Sequence, residues 1–526
     1  MICVRNLRLR PGEDERRLRA MAARALHLRP EQLRNMRIVK KSLDARKKTD
    51  IHWLYSVACE VPDEQRALHR CRDAAVYTPF VYEIPAAQSE VPPVVVGFGP
   101  AGIFAALLLA RAGLKPVILE RGDDVDTRRA AVEKFWKTGA LDAESNVQFG
   151  EGGAGAFSDG KLATGTHDSR IPFVLETFHA FGAEKSVTYD AKPHVGTDVL
   201  QRIVKGMREE ILRLGGTVRF RTRLTALETK EGQLTAAVAE GPEGTLRIPC
   251  RELVLAIGHS ARDTFEWLHA MGVPMERKPF AMGVRIEHLQ SKIGMAQYGE
   301  CYVNLPAADY KLNVRLPNGG SAYTFCMCPG GYVIAAASEP GGVCTNGMSY
   351  SGRAGENANS ALLVTLRPED VPGDGVLAGM EWQRRIERNC FAAGGGGFAA
   401  PAQTVGDFLA RKASEGPGEV LPSYRPGVRW CELHEVLPAA LTDVLEQAIP
   451  ALGERLRGFD DENAVLTAPE TRSSSPVRIL RSAEGLESVV GGLYPCGEGA
   501  GYAGGITSAA VDGMRAAEKI IQTYRI

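Results

Sequence analysis

The fold of this 526-residue chain is decided by the stretch Val94-Val95-Val96-Gly97-Phe98-Gly99-Pro100-Ala101-Gly102. Its valines predict a buried strand, and its glycines have the spacing G-x-G-x-x-G that joins a strand to a helix in dinucleotide-binding proteins. Gly97 permits the tight turn, Gly99 lets the backbone approach a pyrophosphate, and Gly102 lets the next helix pack closely on the strand. This helix, predicted from about Pro100 to Ala112, directs unpaired N–H groups and its positive dipole end at the phosphates.

A second strand, predicted from Pro116 to Glu120, ends on an acidic residue. Glu120 lies 18 residues after Gly102, where an acid accepts hydrogen bonds from the hydroxyls of the adenosine ribose. An acid there also repels a 2′-phosphate, which disfavours NADP at this site. The adjacent Arg121 is assigned to the same cofactor site. These features predict a bound dinucleotide without separating NAD from FAD.

The C-terminal segment favours FAD. A predicted strand and acidic turn at 492–499 precede a second glycine-rich loop and a helix that reaches about Ala517. In two-part flavoproteins such a segment returns beside the first loop, where its acid binds the ribityl chain and its helix N-terminus stabilises negative charge on the reduced ring. The predicted cofactor contacts here are Gly497, Glu498, Gly504, Gly505 and Ile506.

Two middle segments agree with FAD. Residues 254–260 resemble the flavoprotein strand that ends at the chain crossover, with a cofactor contact at Gly258 and with His259 in place of the usual polar follower. Residues 219–227 resemble the preceding strand, where a backbone group near Leu224 would bind the adenine edge.

The chain divides into four segments. Residues 1–88 form a small basic α+β domain, 92–272 the first part of the FAD-binding domain, 273–475 a substrate or cap domain, and 476–526 the C-terminal part of the FAD-binding domain. Hydrophobic periodicity predicts a helix at 13–26, a hairpin of 36–43 and 51–61, a helix at 197–214 and strands at 217–228, 233–240 and 245–258. The expected fold class is α/β: a Rossmann-like FAD-binding domain of the glutathione-reductase type with an inserted mixed α+β cap and a small N-terminal α+β domain.

Four long runs carry a family resemblance: NVQFGEGGAGAFSDGKL at 146–162, FCMCPGG at 325–331, TNGMSYS at 345–351 and ETRSSSPVR at 470–478. They resemble an uncharacterised bacterial family of FAD-dependent dehydrogenases, and the similarity covers most of the chain. That family is part of the flavoprotein class that includes glutathione reductase, fumarate reductase and p-hydroxybenzoate hydroxylase. The resemblance implies FAD and a redox role, and it does not name a substrate.

The loop 150–161 follows the first glycine motif by about 50 residues, and in relatives of this class the corresponding stretch runs along the isoalloxazine ring. Glycines there permit backbone contact with the flat ring, which predicts contacts at Gly152 and Gly153. Lys161 is a candidate catalytic and cofactor-binding residue, because a cation beside the flavin raises its potential and favours hydride acceptance. The alternatives are a lysine that faces solvent or one that binds the FAD phosphates.

A substrate pocket is predicted beside this loop. Arg472 is a candidate catalytic residue that could pair with a substrate carboxylate, and a structural salt bridge is the equal alternative. Ser473 and Ser475 are expected to line the same pocket. A second polar cluster for the substrate comprises Asn346, Ser349 and Arg353. His194 and His259 are candidate proton carriers by residue type, with a structural role as the alternative.

Missing motifs exclude several redox classes. A second G-x-G-x-x-G motif for NAD(P)H is absent, because the run Gly394–Gly397 follows no apolar strand and is typical of a flexible loop. A C-x4-C pair, which a disulfide reductase needs, and a zinc-binding spacing are also absent, so no metal is expected. Cys326 and Cys328 are expected to share one face of a strand, as packing residues or as a redox pair.

The composition limits the function further. Lys+Arg and Asp+Glu both number 63, so no global field indicates nucleic acid or an anionic membrane. No apolar stretch approaches a membrane span, no secretory signal is visible, and 11 scattered cysteines fit a cytoplasmic protein with reduced thiols. We therefore expect an FAD-dependent oxidoreductase that transfers hydride between flavin and a small-molecule substrate, with an unidentified electron donor or acceptor and an open oligomeric state. The alternatives are an RNA-binding or tRNA-modifying flavoprotein that uses the basic N-terminal domain, or a non-catalytic flavin-bound partner protein.

Overall fold

The computed structural model describes residues 1–317 and 319–526. Its N-terminal elements are β1 (Ile2–Leu9), α1 (Arg17–Ala25), a 3-10 helix (Pro30–Gln32), β2 (Arg34–Asp44), β3 (His52–Glu60), α2 (Glu64–Arg70) and β4 (Ala74–Val76). The strands form an antiparallel sheet in the order β2-β3-β1-β4, and both helices bury their apolar side chains in one core with it. This connectivity is that of the split βαβ, ferredoxin-like unit. The predicted hairpin is present, and α1 starts four residues later than expected.

The second segment alternates strands and helices, as a dinucleotide-binding fold requires. Its elements are β5 (Val94–Val96), α3 (Pro100–Ala112), β6 (Val117–Leu119), α4 (Val125–Thr138), a 3-10 helix (Ala154–Phe157), α5 (Ile171–Ala180), a 3-10 helix (Lys185–Thr188), α6 (Thr197–Arg213), β7 (Thr217–Arg219), β8 (Arg223–Lys230), β9 (Gln233–Gly241), β10 (Gly244–Pro249), β11 (Leu253–Leu255) and α7 (Arg262–Ala270). Strands β8, β9 and β10 form a separate antiparallel meander.

Two strands predicted as continuous are each divided between two sheets. The segment 217–228 contains β7, which joins the parallel sheet, and β8, which starts the meander. Arg221 lies between them with a φ of +50° and turns the chain. The segment 245–258 is divided in the same way into β10 and β11.

The cap is built on a seven-stranded sheet. Its elements are β12 (Met275–Arg277), β13 (Phe280–Leu289), α8 (Gln290–Tyr298), a 3-10 helix (Gly299–Asn304), β14 (Asn313–Arg315), β15 (Ser321–Cys328), β16 (Tyr332–Ala335), β17 (Thr345–Met348), β18 (Asn357–Leu366), a 3-10 helix (Pro368–Asp370), α9 (Ala378–Ala393), β19 (Ala400–Thr404), α10 (Val405–Leu409), β20 (Val428–Trp430), α11 (Leu433–Val436), α12 (Ala439–Gly453), β21 (Val465–Glu470) and β22 (Val477–Ile479). The order is β14-β15-β18-β13-β21-β19-β20. Along β13, Val284 and Ile286 join the apolar core beneath α12, while the alternating Arg285 and Glu287 belong to the opposite face.

The chain then returns to the FAD-binding domain through β23 (Leu493–Pro495) and α13 (Ile506–Thr523). The parallel sheet is completed in the order β23-β11-β5-β6-β7. Helix α13 continues past the predicted Ala517 and packs on α3 so closely that a Cβ at Gly513 would collide with the carbonyl oxygen of Ala101. None of the helices in the described part of the chain has the length and apolar composition that a membrane span needs.

Candidate FAD and substrate site

The first glycine turn leaves no room for side chains at two of its positions. Gly97 has a φ of +91°, and a Cβ there would collide with the carbonyl oxygen of Ala256 at the end of β11. A Cβ on Gly102 would collide with the carbonyl oxygen of Gly97. Gly99 immediately precedes α3, whose first turn leaves N–H groups without helical partners. The turn and the helix end therefore have the backbone geometry that an anion site needs, and pyrophosphate binding here stays a prediction.

The flavin loop, residues 150–161, lies directly against this turn. The N–H of Gly152 donates to the carbonyl oxygen of Phe98 at 2.8 Å. Gly153 has a φ of +59°, and a Cβ there would lie 2.9 Å from the Cα of Gly99. We call Gly97, Gly99, Gly102, Gly152 and Gly153 the glycine cradle. Its close backbone approaches are what a pyrophosphate-binding turn requires.

Glu120 holds the cradle together from the end of β6. Its buried carboxylate accepts three backbone hydrogen bonds, from Phe98 at 2.8 Å, Gly122 at 2.8 Å and Gly150 at 2.9 Å. A carboxylate has about four acceptor positions, so one is left on the oxygen that Phe98 contacts. The predicted ribose contact therefore stays a prediction, and the bonds in the structure give Glu120 a role in fixing the loops.

Arg121 forms ion pairs with two neighbouring carboxylates. Its guanidinium pairs with Glu144 at 3.1 Å and with Asp263 at 3.0 Å, and it lies 4.1 Å from the ring centroid of Phe149. The sequence did not predict these ion pairs of Arg121 within the protein. Leu224 is buried in β8, where its side chain joins the hydrophobic core and its backbone pairs with β9.

The C-terminal segment meets the first glycine turn, as expected. Gly497 has a φ of +76°, and a Cβ there would lie 2.9 Å from the Cβ of Ala101. A Cβ on Gly499 would lie 2.6 Å from the carbonyl carbon of Gly258, so the loops after β23 and β11 touch. Beyond Gly258, the His259 ring lies 3.5 Å from the carboxylate of Glu498. The predicted crossover and ribityl positions are therefore neighbours.

The start of α13 is open. A Cβ on Gly504 or Gly505 would meet no atom within 4 Å. Ile506 faces Gly155 of the flavin loop, and the Thr507 hydroxyl donates to the carbonyl oxygen of Leu162 at 2.7 Å. The cradle and this open helix end, joined by the flavin loop, fit the two ends of FAD.

A charged cluster lies where the flavin loop meets the cap. Asp159 is buried, pairs with Arg353 at 2.5 Å and accepts a hydrogen bond from the Ser349 hydroxyl. The Lys161 ammonium lies 3.7 Å from Asp159, and 34% of its side chain is exposed. The backbone of Lys161 pairs with that of His194. We call these five residues the charged recess.

The charges in this recess act on each other. Burial raises the pKa of Asp159, but Lys161 and Arg353 lower it by more, so the carboxylate stays charged. Burial and the charge of Arg353 lower the pKa of His194, so its imidazole is neutral at pH 7. With Arg353 neutralised by its tight bond to Asp159, Lys161 is left as the partly exposed cation.

Cys326 and Cys328 do not share a face, which corrects the expectation. A β-bulge between Phe325 and Cys328 breaks the alternation, and Cys326 has a φ of +41°. Cys328 is buried and Cys326 is exposed. Desolvation nevertheless raises the pKa of Cys326 to about 12, so its thiol stays protonated at pH 7.

Asn346 lies beside a buried ion pair on the polar face of the cap sheet. Arg285 binds Glu470 at 2.8 Å and donates to the Asn346 amide oxygen at 3.3 Å. That oxygen also accepts the N–H of Gly347 at 2.8 Å. Asn346 is therefore positioned by the cap, and its contact with substrate stays a prediction.

Arg472 lies inside a buried ionic network. It binds Glu387 at 2.9 Å through two nitrogens and also donates to the Ser338 hydroxyl, with 3% of its side chain exposed. Glu387 binds Arg262 as well, at 2.8 Å. This geometry favours the structural salt bridge over a substrate ligand. The neighbouring Ser473 and Ser475 bond backbone carbonyl oxygens, at 2.7 Å in each case.

Sequence reasoning missed three residues of this region. Asp159 carried one usable signal, because it stands two residues before Lys161 in a glycine-rich loop. Arg285 and Glu470 carried none, since they are 185 residues apart and meet only through sheet pairing.

Family models match three parts of the chain. Residues 90–263 match an FAD binding domain, 279–473 an FAD-dependent protein, C-terminal domain-like, and 1–60 a domain of unknown function. Together with the cradle and the returning segment, these matches define the class: the protein is an FAD-dependent oxidoreductase.

A curated relative covers nearly the whole chain. It is an "Uncharacterized protein" of Clostridium beijerinckii, 49% identical over an alignment of 534 residues that covers 99% of each chain. The chain belongs to the family of this protein, a family of FAD-dependent proteins.

Two solved structures illustrate a limited similarity to this chain. A geranylgeranyl bacteriochlorophyll reductase-like protein from Thermoplasma acidophilum is 13% identical, with 81% of this chain and 77% of that chain covered and a TM-score of 0.37. A flavoprotein/dehydrogenase from Cytophaga hutchinsonii is also 13% identical, with 82% and 79% covered and a TM-score of 0.39.

Proposed function

We propose that this FAD-dependent oxidoreductase transfers a hydride between flavin and a small-molecule substrate held in the charged recess. The proposed architecture is of the glutathione-reductase type, with the cap placed over the flavin loop. A cytoplasmic location is part of the proposal, and it is supported by the 11 free cysteines, which suit a reducing compartment.

One observation carries this proposal: the flavin loop and the cap supply opposite sides of the same ionic cluster. Asp159 and Lys161 come from the loop, and Ser349 and Arg353 follow β17 of the cap. A substrate bound at this junction would touch both domains. A partly exposed cation beside a ring that gains negative charge on reduction is also what flavin chemistry needs.

The residues of the charged recess have different roles in the proposed reaction. Lys161 orients an electron-rich substrate group or stabilises charge on the ring, because its ammonium is only loosely held by Asp159 at 3.7 Å. Arg353 and Ser349 fix Asp159 and join the loop to the cap. Neutral His194 can take up a proton and pass it between solvent and the substrate. Bound FAD supplies the hydride chemistry.

The test uses the purified holoprotein and sulfite, a nucleophile that adds to oxidised flavin near positive charge. Lys161→Met should weaken sulfite binding by at least about tenfold and lower the flavin midpoint potential, since a nearby unit charge contributes about 3 kcal/mol at an effective dielectric of 20. Lys230→Met removes an exposed lysine of the meander and should change neither value. Equal values in Lys161→Met and wild type would contradict the proposal.

A further inference from the structure

The N-terminal sheet has a second face that the helices do not cover. The helical face buries Ile2, Val4, Tyr55 and Val57 in the domain core. Strand alternation and the pairing register place Arg5, Arg8, Arg37 and Lys40 on the opposite face. We call these four residues the basic sheet face.

All four side chains of the basic sheet face are exposed. Within the described residues, none of them takes part in an ion pair, whereas Lys41, on the helical side of β2, binds Glu15 at 2.9 Å. Four cations without ion pairs on one face of a sheet create a local positive potential on a chain with zero net charge. The surface therefore favours an acidic partner.

The neighbours of these cations indicate which kind of acidic partner fits. On this side of β3 the residues are Leu54 and Ser56, which are half-buried, and Ala58, which is buried, so the strand presents no aromatic ring. Tyr77, which follows β4, lies 5.1 Å beneath the Arg37 guanidinium and is covered by it. Sheet-based RNA recognition stacks bases on aromatic side chains. This face fits the carboxylates of a protein better than the bases of RNA.

The domain that carries this face is attached close to the charged recess. The N–H of Lys41 donates to Tyr189 at 2.9 Å, and the N–H of Ala191 donates back to Lys41 at 2.8 Å. His194, which pairs with Lys161, follows Asp190 by four residues, or at most about 14 Å of extended chain. The edge strand β2 thus bonds to a segment whose His194 pairs with Lys161 of the flavin loop.

A protein partner would also supply what the fold lacks. In the described ranges, the five-stranded sheet that carries the glycine cradle is the only sheet made entirely of parallel strands. A second dinucleotide-binding unit for NAD(P)H is therefore not among the described elements. Where the substrate accepts the hydride, a separate electron donor has to reduce the flavin.

We propose that the basic sheet face docks an acidic iron–sulfur carrier protein that reduces the flavin. This inference rests on the proposed function, because it names the electron donor of the same site. Two docking events of a reduced carrier supply two electrons, two protons come from solvent, and each carrier leaves oxidised by one electron. Such encounters are transient and bury small areas, so complementary charge rather than a large apolar interface governs them.

The experiment titrates the holoprotein with an acidic [2Fe–2S] ferredoxin at about 20 mM and about 200 mM salt, because screening weakens charge-driven docking. Wild type should bind at low salt and lose most of this affinity at high salt. The double variant Arg8→Glu/Lys40→Glu should bind at least about tenfold more weakly and should be reduced correspondingly more slowly by the reduced ferredoxin. The matched control Lys230→Glu/Arg251→Glu reverses two exposed cations elsewhere and should behave as wild type.

Ferredoxin binding that is absent, or equal in wild type and Arg8→Glu/Lys40→Glu, would overturn the proposal. Bulk tRNA that binds wild type in preference to ferredoxin and is lost in the double variant would overturn it in favour of RNA. Flavin absorbance and circular dichroism of the double variant report whether it is folded, and Arg8→Gln/Lys40→Gln gives a milder second variant. Sulfite binding separates this inference from the proposed function, because it depends on Lys161 and not on the basic sheet face.

Discussion

The glycine cradle and the charged recess are adjacent, yet they are built in opposite ways. At four of the five cradle glycines, all except Gly99, neighbouring atoms come within 3 Å of the place a Cβ would take, so the shape of the cradle is fixed by the absence of side chains. The recess consists of charged side chains whose segments lie almost 200 residues apart, with Asp159 on the flavin loop and Arg353 on the cap. The cradle therefore has one allowed geometry, while the recess can change residue by residue within a constant fold.

The first test of this comparison asks whether the cradle tolerates a side chain. Gly102→Val should abolish FAD retention, because the added atoms collide with the carbonyl oxygen of Gly97 at the point where α3 meets β5. Gly416→Val is the control, since a Cβ there meets no atom within 4 Å. The measurement is the flavin-to-protein absorbance ratio of the purified proteins. A full complement of FAD in Gly102→Val would refute the placement of the pyrophosphate.

The second test asks to which region Arg472 belongs. Arg472→Met should lower the free energy of unfolding by about 3–5 kcal/mol, because it removes one half of a fully buried ion pair and weakens the neutralisation of Glu387. Arg478→Met, whose partner Glu276 is half-exposed, should cost less than about 1 kcal/mol. Thermal unfolding of both variants measures the difference. If Arg472→Met melts like wild type but binds sulfite differently, Arg472 belongs to the recess as a ligand.

The third test concerns Glu151, a carboxyl in the flavin loop. Burial raises its pKa to about 7, and its carboxylate accepts the N–H of Val125 at 2.8 Å. The folded protein then binds more protons than the unfolded chain between about pH 4.5 and pH 7, so stability falls as the pH rises through this window, by up to about 3 kcal/mol.

Glu151→Gln should remove most of this slope, because the amide does not titrate. Melting temperatures at about pH 5 and about pH 7.5 measure it, with the exposed Glu133→Gln as the control that keeps the slope. A slope that is identical in wild type and Glu151→Gln would assign the pH dependence to other groups.

The contrast between the local backbone geometry of the cradle and the distant side-chain contacts of the recess also explains which features could be predicted from the sequence. The bounds of α3 agree with the predicted Pro100–Ala112, because glycine spacing and apolar periodicity are local signals. The strand segments 217–228 and 245–258 were predicted whole and are divided, since alternation does not reveal that a strand changes sheets. The bulge at Cys326 is equally invisible, because a left-handed cysteine has no sequence signature.

Side-chain partnerships were harder still. Lys161 and Arg353 were predicted separately, and only the structure joins them through Asp159. The choice between ligand and salt bridge at Arg472 was open because Glu387 lies 85 residues away. Residue type identified these candidates, whereas their assignment depended on tertiary contacts that no local pattern contains.

The position of β23 beside β11 has a consequence for folding during synthesis on the ribosome. Roughly 400 residues separate β5 from β23, so at 5–20 residues per second the ribosome makes the last strand about 20–80 s after the first. During that interval the nascent sheet has a bare edge at β11, and the surface of α3 that receives Gly513 is uncovered. Bound FAD then stabilises the contact between the two separated parts of this domain. Cells short of riboflavin should therefore accumulate the protein in an incompletely folded form that proteases cleave.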